Sequence, residues 1–303
     1  MMERALPFVS VIIPVLNGER TIHGCLVSLL NVDYPPDLRE ILVVDNGSTD
    51  RTAEIVRNFP VRYLREERRG PAAARNKGIE TSGGEILAFT DADCVVSIGW
   101  LRELVKGFQE ESVAGVEGKI VAYPPVTAAE RYAARIGSHS RLQRLSRPRP
   151  YFMLTANVAF RLKVFDRIGL FDPRFGALGG EDVDFSRRFF RESDYKLSYA
   201  GKAVAFHRHR ATGWGLFTQR VRDGHARALV HKKYRQDDPW DWRREVLAYQ
   251  RLIRTGWDTA RSAVYCMFSG GQSMRFHDQA LHFLARLGYR IGVARGILSR
   301  APF

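Results

Sequence analysis

The chain has 303 residues, 45% of them hydrophobic, which suits one large α/β domain or a domain with an appendage and excludes a disordered polymer. Its formal net charge of +14 is unevenly spread: residues 1–199 carry 28 Lys and Arg against 26 Asp and Glu, and residues 200–303 carry 19 against 7. A basic C-terminal third points to an anionic partner, whether nucleic acid, an acidic membrane leaflet or a phosphorylated substrate, or else to a solvated basic face. Cys25, Cys94 and Cys266 are widely spaced and form no Cys-x-x-Cys pair, so a disulfide framework or thiolate zinc site is disfavoured and a reducing cytosol fits best.

The apolar run from Phe8 to Leu16 is interrupted by Pro14 and closed by Asn17-Gly18, the pattern of a first strand and not of a signal peptide. Short apolar runs then alternate with helical stretches. Strands are expected at Phe8–Val15, Glu40–Val44, Val61–Leu64 and Glu85–Thr90, and helices at Thr21–Leu30, Asp50–Asn58 and Pro71–Thr81. This βαβα order implies an α/β fold with a mostly parallel, doubly wound sheet, whose ligands bind beyond the carboxyl ends of the strands. Polar residues gather at those ends: Asn17 and Glu19 after strand one, and Asp45-Asn46-Gly47-Ser48-Thr49-Asp50 after strand two. No dinucleotide fingerprint or P-loop is present, so phosphate is held by other means. Arg75 lies on the helix opened by Gly70-Pro71, where it reads either as a diphosphate or ribose contact or as an exposed helical arginine.

The run Glu85-Ile86-Leu87-Ala88-Phe89 ends in Thr90-Asp91-Ala92-Asp93-Cys94. Two carboxylates about 4 Å apart repel by roughly 4 kcal/mol at an effective dielectric of 20, so without a counter-charge one tends to stay protonated. A hard divalent cation, magnesium or manganese, removes that cost and leaves room for a diphosphate. Taken alone, an Asp-x-Asp pair is more often just part of a turn.

Further on, residues 98–110 read as a helix, Val113–Ala122 as a strand, Ala128–Leu145 as a basic-faced helix, Arg147-Pro148-Arg149-Pro150 as a stiff connector and Phe152–Phe160 as a strand. The glycine-rich stretch Gly176 to Gly180 then runs into Glu181-Asp182-Val183-Asp184 at a helix start. Acids there are favourable against the helix dipole by about 0.3–1 kcal/mol, yet the same placement suits a general base on a rigid element. Asp184 and Arg188, four apart, read as a surface ion pair. Ala203–Phe206 is a short strand entering His207-Arg208-His209-Arg210, and either imidazole is positioned to join a metal. Gly213-Trp214-Gly215 reads as a sugar platform or a packing hinge. Amphipathic helices follow at Phe217–Tyr234, Trp240–Ser269 and His277–Leu298, the last patterned like a membrane-surface helix or a core-docked one. No run of 18 apolar residues occurs, so no transmembrane helix is expected.

Taken in order, Val9-Ser10-Val11-Ile12-Ile13-Pro14 with Asn17 and Glu19, Val43 to Asp50, Ala73-Ala74-Arg75-Asn76, Asp91-Ala92-Asp93, Thr155-Ala156-Asn157, Gly180 to Asp184 and His207 resemble the family-2 glycosyltransferases of the GT-A fold. Leu16 departs from the pattern, standing where many relatives have an aromatic residue that stacks on the base. The resemblance implies inverting transfer from a nucleoside-diphosphate sugar, UDP- or GDP-linked, to a glycan, lipid-linked or cell-envelope acceptor. It assigns Asp182 as catalytic base supported by Glu181. Nucleotide-sugar binding falls to Pro14, Asn17, Glu19, Asp45, Asn46, Arg75, Asp91 and Asn157, and a Mn2+ or Mg2+ ion to Asp91, Asp93 and His207. The implied organisation is a catalytic domain over 1–212, with a nucleotide-binding half at 1–122 and an acceptor and catalytic half at 123–212, followed by a basic helical extension at 213–303. The expected location is cytoplasmic, peripheral on the inner face of the membrane where the basic third meets anionic lipid. Two alternatives stand beside this: another nucleotide-dependent transferase on the same sheet, and a basic non-enzymatic binding module.

Overall fold

The structure is a computed structural model describing residues 5–136, 152–237, 239–269, 274–300 and 303. Its strands are β1 (Val9–Val15), β2 (Arg39–Asp45), β3 (Arg62–Arg65), β4 (Ile86–Thr90), β5 (Cys94–Val96), β6 (Val113–Ala122), β7 (Asn157–Arg161) and β8 (Lys196–His207). Its helices are α1 (Ile22–Leu30), α2 (Thr52–Arg57), α3 (Pro71–Thr81), α4 (Trp100–Lys106), α5 (Ala128–Ile136), α6 (Lys163–Ile168), α7 (Glu181–Glu192), α8 (Gly213–Lys233), α9 (Trp242–Ser269) and α10 (Met274–Leu298). The residues form two units, one of 1–123, 138–177 and 181–208, the other of 124–137, 178–180 and 209–303.

The first unit is built on an eight-stranded sheet in the order β3-β2-β1-β4-β7-β6-β8-β5. Its β3, β2, β1 and β4 run parallel, as the βαβα pattern requires. Beyond β4 the sheet is mixed: β7 is antiparallel to both β4 and β6, β6 and β8 are parallel, and β5 is antiparallel to β8. All five residues of β4 are buried, which explains the unbroken apolar run in a strand covered on both faces. One face packs on α1 and α4 through Leu26, Leu29, Trp100 and Leu104. The other face carries a phenylalanine cluster, Phe89, Phe160, Phe165, Phe171, Phe185 and Phe189, with Phe171 and Phe185 stacked at 4.5 Å. Offset aromatic pairs of this kind add about 0.5–1.5 kcal/mol each beyond area burial, and here they fix α7 on the sheet.

Several expectations change. The strand expected at Phe152–Phe160 is confined to Asn157–Arg161, because a turn bond from Asn157 N–H to Leu154 O precedes it. The short strand at Ala203–Phe206 is the end of the longer β8, whose register against β6 shifts between Gly118 and Lys119 and so conceals the period-two pattern. The Asp184–Arg188 pair is not on the surface. Asp184 is fully buried, and Arg188 Nε lies 3.1 Å from it while Nη2 donates to Leu170 O at 2.8 Å, clasping α7 to the segment after α6. The end of the basic helix expected beyond Ile136 and the Arg-Pro connector fall outside the described residues.

The second unit consists of helices. Its α5, α8 and α10 meet around Ala129, Tyr132, Leu216, Leu281 and Ala285. Of the two patterns open for the last helix, the core-docked one holds, since Leu281, Ala285 and Val293 are buried. Gly213-Trp214-Gly215 is the first turn of α8, capped by Thr212 Oγ1 accepting from Gly215 N–H at 3.0 Å.

Candidate active site

The carboxyl ends of β1 and β2 are tied together by their own polar residues. Asn17, at φ 53°, accepts from Thr49 N–H at 2.9 Å, its N–H donates to Ser48 Oγ at 2.8 Å, and Glu19 N–H donates to Asp50 Oδ2 at 3.1 Å. Asp45, at the end of β2, accepts from Ser48 N–H and from the Tyr63 hydroxyl, both at 2.8 Å. Tyr63 escaped the sequence reading. The parallel register pairs it with Val43, two residues before Asp45 and on the same face, a relation that needs the β2–β3 alignment to be seen. Asn46 is buried and spends its amide within the protein, donating to Glu66 O and Arg68 O and accepting from Gly70 N–H at 2.7 Å. It anchors the loop that leads into α3. Pro14 is half-buried in β1 opposite Val44, and Leu16 beyond it is exposed.

Arg75 has a different part from the nucleotide contact expected. Only 4% of it is exposed, and its guanidinium bridges two acids, with Nη1 2.6 Å from Glu181 Oε1 and Nη2 3.1 Å from Asp91 Oδ1. The close approach of α3 to β1, where a Cβ on Gly78 would lie 2.5 Å from Ile12 Cγ2, sets this arginine beneath the ends of β4 and α7. Burial disfavours its charge, but Glu181, Asp91 and Asp182 outweigh that and raise its pKa.

Asp91 is drawn to Arg75, so Asp91, Asp93 and His207 do not gather into a three-residue ligand set. Among the described residues no group of three or more His, Cys, Asp or Glu side chains is placed to hold a metal. Asp93 and His207 do meet. The antiparallel register of β5 on β8 pairs Cys94 with His207, and Arg208 N–H donates to Asp93 O at 2.9 Å, which leaves His207 Nε2 3.4 Å from Asp93 Oδ1. That oxygen is buried and has no hydrogen-bond partner. An orphaned buried carboxylate oxygen beside an imidazole nitrogen is a fitting pair of donors for one divalent cation.

Asn157 faces the interior. Its Oδ1 accepts from Trp100 Nε1 at 2.8 Å, and its Nδ2 donates to Lys119 O and Ala203 O at 2.9 Å each. It therefore joins α4, β6, β7 and β8, and its side chain is fully buried. Its alternate-position pattern with Thr155 gave no sign of this, because the partners lie 38 to 57 residues away.

Glu181 is buried on Arg75, whereas the next residue, Asp182, is half-buried and makes one side-chain bond, accepting from Val183 N–H at 2.8 Å. Poor solvation and the adjacent Glu181 charge lift its pKa from the ordinary carboxylate range to about 7, with Arg75 and the Val183 N–H opposing the rise. Burial likewise raises Asp91, against the pull of Arg75. The two neighbouring acids are thus differentiated: one is locked in an ion pair, and the other is poised to exchange a proton near neutrality.

The mixed sheet, with acids, an arginine bridge and an Asp–His pair at its strand ends, has the GT-A fold. The chain belongs to glycosyl transferase family 2, whose model matches residues 10–169. It is 38% identical over 221 residues to glycosyltransferase AglE of Haloferax volcanii, 70% of each chain being covered. It is also 26% identical over 249 residues to the probable glycosyltransferase YdaM of Bacillus subtilis, over 76% of this chain and 58% of the relative. In fold it resembles the mannosyltransferase PcManGT from Pyrobaculum calidifontis in complex with GDP-Man and Mn2+, with a TM-score of 0.63, 19% identity, and 98% of this chain and 89% of that one covered. GalNAc-T7 with UDP, GalNAc and Mn2+ gives a TM-score of 0.55 at 20% identity, over 75% of this chain and 48% of that one. The protein is a glycosyltransferase, and the non-enzymatic reading of its basic charge falls away.

Proposed function

We propose that the protein transfers a sugar, with inversion, from a UDP- or GDP-linked donor to a hydroxyl of a glycan or lipid-linked acceptor, over a catalytic domain spanning residues 1–212. The observation that carries this reading is the contrast between the adjacent acids: Glu181 is held by Arg75 and Asp182 is raised to about 7. Asp182 takes the proton of the acceptor hydroxyl as its oxygen bonds to the anomeric carbon, and the bond from that carbon to the diphosphate breaks on the opposite face. Asp93 and His207 would hold a divalent ion, Mn2+ or Mg2+. When bound, it supplies positive charge that stabilises the departing diphosphate. Asp45 meets the base, and the tied loops carrying Asn17 and Glu19 border the nucleotide. Arg75 holds Asp91 and Glu181 in place. The structures of PcManGT and GalNAc-T7, each with a nucleotide or nucleotide sugar and Mn2+, support this on fold grounds.

The test is a thermal-shift screen of UDP, GDP and their sugars with and without Mn2+, followed by transfer assays with the stabilising donor. Metal-dependent stabilisation by a nucleoside diphosphate, lost in Asp93→Ala, is expected. Stabilisation that ignores metal and Asp93 would remove the proposed metal role.

A further inference from the structure

The longest helix of the second unit leaves an apolar face uncovered. On α9, Trp242, Val246, Tyr249, Ile253, Trp257 and Val264 are all exposed, at 68%, 55%, 43%, 62%, 69% and 47%. At about 100° per residue these six fall within an arc of roughly 80°, a single stripe about 33 Å long. The helix is seated on α10 by a different edge: Glu245 pairs with Arg290, Gly256 lies against the Phe283 ring, and Thr259 Oγ1 donates to Gln279 O at 3.3 Å. On the side of the stripe away from that edge, Arg243, Arg254 and Arg261 line up, with Arg244 and Arg251 beyond them, and all five are exposed.

We infer that this face of α9 lies in the interface of an anionic lipid leaflet, with the apolar stripe among the headgroups and upper acyl chains and the arginine row against lipid phosphates. Three features select that occupant. The stripe is rich in Trp and Tyr, whose amphipathic rings favour the headgroup level. Three exposed arginines, Arg243, Arg254 and Arg261, flank the stripe, and the exposed acid nearest them on the helix is Asp258, so the net charge of this side complements an anionic surface and repels a second copy of itself. The stripe is straight and continuous, as an interfacial helix requires, and no described helix is long and apolar enough to cross a bilayer. The inference does not rest on the donor or acceptor proposed above.

The experiment uses the full chain with vesicles of phosphatidylcholine alone and of phosphatidylcholine mixed with phosphatidylglycerol, at low and high salt. Co-sedimentation with the anionic vesicles is expected, weakened by salt. Ile253→Ser with Trp257→Ser should cut vesicle affinity at least about tenfold, through lost apolar burial. Arg243→Gln, Arg254→Gln and Arg261→Gln together should cut it on the order of 100-fold, each arginine contributing roughly fivefold. Because every altered side chain is exposed, unfolding temperature and nucleoside-diphosphate binding should stay at wild-type values, which separates failure here from failure of the proposed chemistry. Absence of wild-type binding, or unchanged binding in both variants, overturns the inference. So does a concentration-dependent dimer abolished by Ile253→Ser, or an RNA that binds this face in place of vesicles.

Discussion

Arg75 shows how one side chain changes meaning between sequence and structure. On a helical pattern it is indistinguishable from a nucleotide-binding arginine. In the fold it is buried between Asp91 and Glu181, and removing it leaves two carboxylates without their counter-charge. Breaking such a buried pair costs about 3–5 kcal/mol. Arg75→Ala should therefore lower the midpoint of thermal unfolding by many degrees even without nucleotide, whereas loss of a surface nucleotide contact would leave the unliganded midpoint unchanged. Asp182 makes the complementary case. As a base it acts only when ionised, so transfer should rise with pH through about 7, and Asp182→Asn should lower turnover by about 10²-fold or more with little change in donor affinity. The stability sign is opposite. Its folded pKa lies above the unfolded value, so the wild type loses stability as pH rises from about 4 through 7. Asp182→Asn, which cannot ionise, should accordingly gain most in unfolding temperature relative to wild type at pH 8 and least at pH 4; a gap that does not widen with pH would contradict the raised pKa. Sequence placed Asp182 and Glu181 correctly at a helix start, but which of the two is taken up in an ion pair depends on Arg75, 106 residues away from Glu181.

The elements most legible in sequence are those whose pattern is local. Pro71–Thr81 has the bounds expected, because Gly70, at φ 126°, and Pro71 punctuate its start. The β5–β8 pairing that brings Asp93 to His207 was not legible, since β5 has three residues and its partner is more than 100 residues further on. The packing of α8 on α10 was hidden for another reason: Gly288, Gly292 and Gly296 count against a helix by propensity alone, at about 1 kcal/mol each relative to Ala. Their spacing of four aligns them on one face, where a Cβ on Gly288 would lie 2.6 Å from Phe217 O and one on Gly292 would overlap Val221 O. The missing side chains are what let the two backbones touch. Gly292→Ala should thus destabilise the protein by about 1–3 kcal/mol through overpacking, despite alanine's better propensity. Gly24→Ala in α1, where the nearest atoms would be 3.9 and 4.0 Å away, should be neutral or stabilising by up to about 1 kcal/mol. Chemical denaturation of the two variants measures the contrast, and a stable Gly292→Ala would mean that α8 and α10 do not meet at backbone distance.

At the scale of the whole molecule, charge and chemistry are segregated along the chain. The acids, Arg75 and His207 that make up the site all belong to the unit of 1–123, 138–177 and 181–208, while most of the net positive charge follows residue 200. A ligand that binds only the folded form stabilises by RT ln(1 + [L]/Kd), about 2.7 kcal/mol at a hundredfold excess over Kd, and that stabilisation is felt where the binding elements open. Adding nucleoside diphosphate and Mn2+ should therefore slow amide exchange in the loops after β1 and β2, in Asp91–Cys94 and at the end of β8. Exchange along α8 and α10 should stay unchanged, because their protection comes from their own backbone contacts at Gly288, Gly292 and Gly296. Anionic vesicles should give the reverse pattern, with slower exchange confined to α9. Hydrogen-exchange mass spectrometry reads both in one experiment. If nucleotide slowed α8 and α10 as strongly as the β2 loop, the two units would open as one cooperative body, and the separation of donor chemistry from the basic helices would be wrong.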